Sequence, residues 1–218
     1  MKKTTGLSAA LFMMLAATAS ASAVKVTHDI RSDGPSEVTA EGVLQASPEK
    51  IWAQVIRFNE YATFMPHVLE SFFITEEGVE TLKNAGTANA NKLRAVARPF
   101  KTPVSRKEGG RWEGLAFMVL NTPFPVENRW YVIRTVQDET GAAGHKYKRC
   151  WELVTGNIES AKGCWTFVPG ANPEETVSRY EDQADPGGNV PEWVTRMGAT
   201  QTIPQMFEKV EKLAQSMD

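Results

Sequence analysis

The chain has 218 residues and a formal net charge of −2, so it is long enough to bury one core and has no excess of basic residues for binding nucleic acid. Its three histidines are dispersed, its two cysteines form no Cys-x-x-Cys motif, and no glycine-rich phosphate loop is present. We therefore expect no bound metal, no cofactor and no nucleic-acid partner.

Residues 1–23 have the order of a secretory signal peptide. Lys2 and Lys3 precede an apolar run over residues 7–17, and small residues follow it up to Ala23. This run of about 11 residues is too short to cross a membrane, which takes roughly 20. The sequence therefore predicts cleavage after Ala23 or after Ala21, and a mature protein that is periplasmic or secreted.

The first elements of the mature chain are a lead-in, a strand and two short helices. Residues 24–36 are polar and are expected to be irregular, and the domain proper is expected over residues 37–218. Residues 37–46 come close to alternation, which predicts a strand. Ser47 and Pro48 are typical of a helix start. They predict a helix that ends near residue 59, with a second helix over residues 60–64.

A meander of strands follows, separated by clusters of glycine, proline and asparagine. The predicted strands are residues 68–75, 90–97, 112–120, 130–136, 145–154, 164–168 and 176–183. From Val190 and Pro191 to the C-terminus the apolar residues recur at helical spacing, which predicts one long amphipathic helix. Pro204 falls inside it and is expected to kink or split it, because proline lacks the backbone donor.

This order of elements predicts an α+β fold. The last helix must bury its apolar stripe against the concave face of the curved antiparallel sheet. One helix cannot fill a strongly curved sheet, so we expect an apolar cavity between them, the kind of space in which small hydrophobic ligands bind.

Four stretches carry a resemblance to a known superfamily: residues 46–68 (ASPEKIWAQVIRFNEYATFMPHV), 120–134 (LNTPFPVENRWYVIR), 153–169 and 185–197 (DPGGNVPEWVTRM). They resemble the START-like proteins, also called Bet v 1-like or polyketide cyclase-like. The resemblance extends over about residues 37–216. It implies a helix-grip fold, in which a curved antiparallel sheet with two short helices after its first strand wraps around a long C-terminal helix. Functions in the superfamily range from lipid and sterol transfer to ring closure.

The chain departs from the sterol-binding members of that superfamily at two positions. Those proteins place an acidic residue and an arginine inside the cavity, and counting from Arg129 finds Ala116 and Thr135 at the matching places. Arg134 is one place off and hence on the other face of its strand. The resemblance therefore implies either a cavity closed by apolar groups or a polar group located elsewhere.

Strand alternation and helical spacing predict the residues that line the cavity. Methionines among them suit a cavity that accommodates a flexible ligand, although they are also common core residues. The candidates are Trp112, Ala116, Met118, Tyr131, Ile133, Thr135, Val194, Met197, Gln201 and Met206.

Catalytic chemistry has weak support in the sequence. No nucleophile elbow of the Gly-x-Ser-x-Gly type occurs, and His67 is more typical of a surface or loop-packing histidine than of a base. The carboxylates in or beside strands, Glu113, Glu127, Glu152 and Glu181, are expected to point outward. We therefore assign no catalytic residue.

The two cysteines, Cys150 and Cys164, form a disulfide in one strand register and not in another. A turn at Gly156 and Asn157 would place them opposite each other, whereas a turn at Ser160 and Ala161 would separate them. An exported protein would keep such a bond. The sequence leaves the two registers open.

Together these features favour an exported, monomeric binding or carrier protein for a hydrophobic ligand such as a lipid, an isoprenoid or a sterol-like molecule. Transient contact with a membrane surface is expected when the ligand is exchanged. Two alternatives remain. One is a cyclase or aromatase that uses the same cavity, and its sign would be a buried polar pair with perturbed titration. The other is an envelope adaptor protein, and its sign would be a filled cavity and an exposed apolar patch.

Overall fold

A computed structural model describes residues 23–31, 33–85, 89–103, 108–188 and 190–217. Within these ranges the chain forms one antiparallel sheet and six α-helices. The strands are β1 (Lys25–Asp29), β2 (Ser36–Leu44), β3 (Val68–Ile74), β4 (Arg111–Leu120), β5 (Arg129–Asp138), β6 (Tyr147–Gly156), β7 (Ser160–Pro169) and β8 (Thr176–Asp185). The helices are α1 (Pro48–Val55), α2 (Tyr61–Phe64), α3 (Glu76–Asn84), α4 (Ala90–Ala97), α5 (Glu192–Met197) and α6 (Ile203–Gln215).

The strand order across the sheet is β1-β2-β8-β7-β6-β5-β4-β3, with every neighbouring pair antiparallel. From β3 to β8 the chain therefore runs as a meander, and α1 and α2 carry it from β2 across to the opposite edge. The long C-terminal helix packs on the inner, concave face. The predicted α+β helix-grip fold is confirmed.

The main core lies between the concave face and the helices α1 and α6. Ile51 and Val55 of α1 and Phe207 and Val210 of α6 are fully buried there. The Trp165 ring of β7 lies 5.2 Å from that of Phe207, which joins sheet and helix by aromatic contact. These contacts fix the position of the C-terminal helix over one part of the sheet.

A second core lies on the convex face of β3, β4 and β5. Helices α3 and α4 cover it and bury Val79, Leu82 and Leu93 against Phe72 and Phe117 of the strands. Their caps are regular, because the Thr75 hydroxyl accepts from the Gly78 amide at 3.2 Å and the Asn89 side chain accepts from the Lys92 amide at 3.1 Å.

Three regions of the chain depart from the prediction. Residues 25–29 pair with β2 instead of forming an irregular lead-in. Residues 90–97 are helix α4 and not a strand, since Ala90, Leu93 and Ala97 are buried at helical spacing. Helix α3 was not predicted, although Thr75 is followed by acidic residues in the first helical turn and Lys83 in the last.

The C-terminal helix is split, as predicted from the position of Pro204. A π-helical segment over residues 198–202 joins α5 to α6, and Pro204 lies in the first turn of α6. Proline removes one hydrogen bond of the regular ladder and crowds the carbonyl four residues earlier, and the wider π turn accommodates both effects.

Cys150 and Cys164 lie directly opposite each other on β6 and β7, and their sulfur atoms are bonded at 2.10 Å. The two strands end and begin at Gly156 and Ser160. Of the two registers considered from the sequence, the structure therefore has the one in which the cysteines face each other.

Candidate ligand-binding cavity

A cavity of about 360 Å³ lies between the concave face of the sheet and the C-terminal helix, within the range of small-molecule sites. Strands β2 and β4–β8 line one side of it, and α5, the π-helical segment and the start of α6 line the other. Its wall is mainly apolar. Among the apolar lining residues are Val38, Met65, Met118, Leu120, Ile133, Trp165, Val194, Met197, Ala199, Ile203 and Met206.

Small residues on the helix side leave this space unfilled. Gly198 and Ala199 lie in the π-helical segment and line the cavity, and a Cβ atom added to Gly198 would meet no atom within 4 Å. The neighbouring Met197 and Met206 are flexible side chains that adapt to the shape of a bound molecule. The split in the helix therefore lies directly over the cavity.

One end of the cavity reaches the surface. It is lined by the connection after β4, which includes Asn121 and Pro123, by Pro186 and Val190 after β8, and by His67. His67 and Asn121 are solvent-exposed, unlike the strand residues deeper in the cavity. We call this end the mouth. It is the route by which a ligand can enter without unfolding the sheet.

Arg129 connects the two loops of the mouth. It stands at the start of β5 and its Nη2 atom donates to the Gly187 carbonyl at 2.9 Å. Burial lowers its pKa, and the nearby Glu127 opposes this. This hydrogen bond holds the segment before α5 against the sheet.

Six of the ten predicted lining residues lie in the cavity wall. Met118, Tyr131 and Ile133 line it from β4 and β5, and the other three are Val194, Met197 and Met206. Counting alternate residues from Arg129 therefore identifies the inward-facing side chains correctly in the halves of β4 and β5 that are nearest the mouth.

The other four, Trp112, Ala116, Thr135 and Gln201, are not part of this wall. The first three point inward but are buried in packed core, where the Trp112 ring lies 5.9 Å from that of Phe73. Gln201 is exposed. It is four residues after Met197, the spacing of an α-helix, whereas in the π-helical segment Thr202, five residues on, lines the cavity instead.

Sequence reasoning missed Arg149, a charged residue of β6 that lines the cavity and is 5% exposed. Its Nε atom donates to the Thr135 hydroxyl at 3.0 Å, and its Nη1 atom donates to the Tyr61 hydroxyl at 2.6 Å and the Val55 carbonyl at 3.3 Å. The guanidinium also lies 5.0 Å from the centre of the Phe58 ring. Every one of these partners is neutral.

Asp182 of β8 was missed as well. Its Oδ1 atom accepts from the Trp151 indole at 3.2 Å, and Gly163 of β7 lies between the two in the sheet. A Cβ atom at Gly163 would lie 2.5 Å from the Trp151 ring, so the glycine makes room for the indole. Burial raises the pKa of the Asp182 carboxyl to about 6, against the lowering effect of the Trp151 hydrogen bond.

The sequence indicates that both Arg149 and Asp182 face the cavity, because inward- and outward-facing positions alternate along their strands. Arg149 shares a face with the inward-pointing Tyr147 and Trp151, and Asp182 shares one with Ser178 and Tyr180. A charge placed two residues from inward-pointing aromatic residues on both strands is the pattern to look for. The carboxylates considered from the sequence, Glu113, Glu127, Glu152 and Glu181, are all exposed.

Among the described residues, no group of three or more His, Cys, Asp or Glu side chains could hold a metal ion. No helix in the described ranges is long and apolar enough to cross a membrane. The polar groups of the cavity lining include Arg149, Asp182 and the phenols of Tyr61, Tyr131 and Tyr180.

Comparison with known proteins agrees with this geometry. The family model described as polyketide cyclase / dehydrase and lipid transport matches residues 44–211. The chain belongs to this family. Its fold is the hydrophobic ligand-binding fold of the START-like proteins, and the resemblance identified in the sequence is confirmed. A search of curated proteins finds no match.

Solved structures of similar fold include both transfer proteins and an enzyme. A STAR-related lipid transfer protein from Xanthomonas axonopodis is 19% identical, with a TM-score of 0.60 over 88% of this chain and 94% of that one. Human STARD10 is 14% identical, with a TM-score of 0.59 over 88% and 69%. The Zhui aromatase/cyclase from a Streptomyces species is 11% identical, with a TM-score of 0.53 over 82% and 93%. At these identities the likeness concerns the fold alone.

Proposed function

We propose that this member of the polyketide cyclase and lipid transport family is an exported carrier that holds an apolar or amphipathic small molecule. The observation that supports it is the mainly apolar cavity of about 360 Å³ with a mouth at one end. Burial of each methylene group contributes about 0.8 kcal/mol, so a chain of about 12 methylenes supplies roughly 10 kcal/mol before association costs. Holding such a ligand requires no catalytic residue.

Two exposed aromatic residues suit exchange of the ligand at a membrane surface. Phe124 is 93% exposed between Pro123 and Val126, which line the mouth, and Trp193 is 49% exposed beside Val194, which also lines the cavity. Aromatic side chains of this kind partition into the interface of a bilayer. In the carrier proposal, they insert into the membrane while the mouth opens toward it.

Export is part of the same proposal. It rests on residues 1–23, of which the first 22 lie outside the described residues. The mature protein from its own host is expected to begin at Val24, or at Ser22 if cleavage follows Ala21. Intact mass measurement checks this, and a mature mass that includes residues 1–23 would contradict it.

A vesicle assay tests the carrier function. Donor vesicles carrying a fluorescent fatty acyl lipid and a quencher are mixed with acceptor vesicles, and the protein is expected to accelerate transfer to the acceptors. Met118→Arg places a charge in the cavity wall and should abolish the acceleration. Val177→Arg makes the same kind of change at a residue that is 42% exposed and should leave it intact.

Phe124→Ala and Trp193→Ala separate membrane contact from binding. Each is expected to slow transfer while ligand binding in solution stays unchanged, because both side chains are exposed. Transfer at the spontaneous rate with the wild-type protein would contradict the carrier function. Unchanged transfer by the two aromatic variants would instead remove their proposed contact with the membrane.

A second candidate function is catalysis in the same cavity. It is favoured by Asp182, an acid whose pKa burial raises to about 6, in a cavity that also holds Arg149. The two functions differ in the fate of the ligand. If the protein is a carrier, Asp182→Asn and wild type yield the same molecule by mass, chromatographic retention and fragmentation. If the protein is a cyclase, the variant retains an unconverted precursor, which differs in retention and fragmentation even where ring closure leaves the mass unchanged.

A further inference from the structure

Within the described residues, Arg149 and Asp182 of the cavity lack the partners that buried charges require. Arg149 is 5% exposed, its described hydrogen-bond partners are all neutral oxygen atoms, and its Nη2 atom donates to no described residue. Asp182 accepts one hydrogen bond, from Trp151. No ion pair joins the two side chains within the described ranges. A buried arginine without an acidic partner is costly, and a ligand that supplies the missing anion relieves that cost.

Two phenols lie within the influence of both charges. Burial raises the pKa of Tyr131 and of Tyr180, the Asp182 carboxylate raises both further, and Arg149 opposes this. The Tyr131 hydroxyl donates to the Met118 sulfur at 3.1 Å, a weak acceptor, and the Tyr180 hydroxyl has no hydrogen-bond partner in the described part of the chain. The Tyr180 hydroxyl and the Nη2 atom of Arg149 can therefore donate to a ligand, and the Tyr131 hydroxyl can exchange its weak sulfur acceptor for a ligand oxygen.

We infer that the cavity selects amphipathic ligands with a carboxylate head, which binds at Arg149. This inference rests on the carrier function proposed above and names the chemical class of its ligand. Arg149 and the phenols donate to the ligand's carboxylate. The apolar chain lies along the methionines of the helix side.

The balance of charge favours a ligand with a carboxylate head group over one with a cationic or an alcohol head group. The positive charge of Arg149 and the negative charge of a ligand carboxylate neutralise each other in the buried site. A cationic head would face Arg149 without compensation, and an alcohol would leave the arginine unpaired.

The other titratable residues of the cavity do not alter this balance. Among the described lining positions of α5, the π-helical segment and α6, none is ionisable, and neither are Ser36 and Val38 of β2 or Ala161 and Trp165 of β7. The Tyr61 hydroxyl donates to the Val55 carbonyl and accepts from the Arg149 Nη1 atom. The remaining members, Arg129, Asp185 and His67, stand at or near the mouth.

The experiment uses three soluble ligands with the same chain and different heads: dodecanoate, dodecanol and dodecyltrimethylammonium. Each displaces the neutral fluorescent probe N-phenylnaphthylamine from the wild-type protein. Dodecanoate is expected to bind about ten- to a hundredfold tighter than dodecanol, the effect of one charge-assisted hydrogen-bond network.

Two cavity variants and one control variant test which residue causes the preference for dodecanoate. Arg149→Met should remove the preference for dodecanoate over dodecanol, whereas Arg134→Met, at an arginine whose side chain is 48% exposed, should keep it. Asp182→Asn should keep the preference. The comparison of the three head groups in the wild-type protein tests the inference even if Arg149→Met does not fold.

Equal affinities for dodecanoate and dodecanol in wild type, or tighter binding of the cationic amphiphile, would overturn the inference. Displacement of the probe by dodecanol would in that case still support a cavity for hydrophobic chains. If the probe does not bind, or binds and is displaced by none of the three ligands, the carrier function itself fails.

Discussion

The concave and convex faces of the sheet are made from alternate residues of the same strands, yet they are filled differently. Phe117 and Met118 are neighbours on β4. Phe117 points to the convex face, where α3 and α4 bury it completely, and Met118 points to the concave face and lines the cavity. The convex face buries apolar side chains against two helices, whereas the concave face combines apolar residues, two charges and unfilled space. Complete packing favours stability, and incomplete packing leaves room for a ligand.

The largest expected effect comes from truncating the convex core. Phe117→Ala removes a fully buried ring and should lower the free energy of unfolding by about 3–5 kcal/mol, because a closed core collapses poorly around a new cavity. Met118→Ala should cost less and should change ligand affinity instead. Chemical denaturation of both variants, with and without ligand, checks this. Equal losses of stability would contradict the distinction between the two faces.

Reduction of the disulfide should have the next largest effect. Cys150 and Cys164 are 14 residues apart, and closing a loop of that length stabilises a fold by about 3 kcal/mol at most. The cysteines alternate with Arg149 and Trp165 and so point away from the cavity. Reduced protein is therefore expected to unfold at lower denaturant concentration and still bind ligand. Loss of binding by folded, reduced protein would show that the bond also shapes the cavity.

A smaller effect is expected from the buried carboxyl. Since folding raises the pKa of Asp182 from 3.8 to about 6, its ionisation disfavours the folded state, and this cost grows as the pH rises from about 4 to above 6. Asp182→Asn removes that cost, so its stability relative to wild type should increase by roughly 1–3 kcal/mol over this pH range. Unfolding curves at several pH values measure it.

Asp138 is the control for this prediction. Hydrogen bonds from Thr140 hold the pKa of the Asp138 carboxyl below its usual value, so its ionisation favours the folded state. Asp138→Asn should therefore lose a small stability contribution that is present above pH 4 and disappears as the pH falls through the lowered pKa. A pH profile of the same sign for both variants would contradict the assignment of Asp182 to a buried site.

The sequence predicted the fold because the strands and the C-terminal helix carry strong periodic signals. Residues 112–120 and 130–136 correspond closely to β4 and β5. Helices α3 and α4 were missed, since their apolar residues form short runs whose spacing alone does not distinguish a helix from a strand. The cap residues Thr75 and Asn89 were the clearer signal.

The cavity residues were predicted less completely, for two physical reasons. Alternation gives the face of a strand but not the depth at which helices close the space, so Trp112 and Thr135 were assigned to a wall that does not reach them. The π-helical segment also changes the spacing after Met197, which a regular helix pattern cannot include. Arg149 and Asp182 were missed because charged residues are normally assigned to the outer face.

The central claim is that the space between the sheet and the C-terminal helix holds a hydrophobic ligand. Native mass spectrometry of the mature protein, purified from its own host without detergent, tests it most directly. The account predicts a co-purifying amphipathic molecule that is absent from Met118→Arg and present in Val177→Arg. An empty wild-type protein that also fails to take up lipids and fatty acids offered in vitro would contradict it.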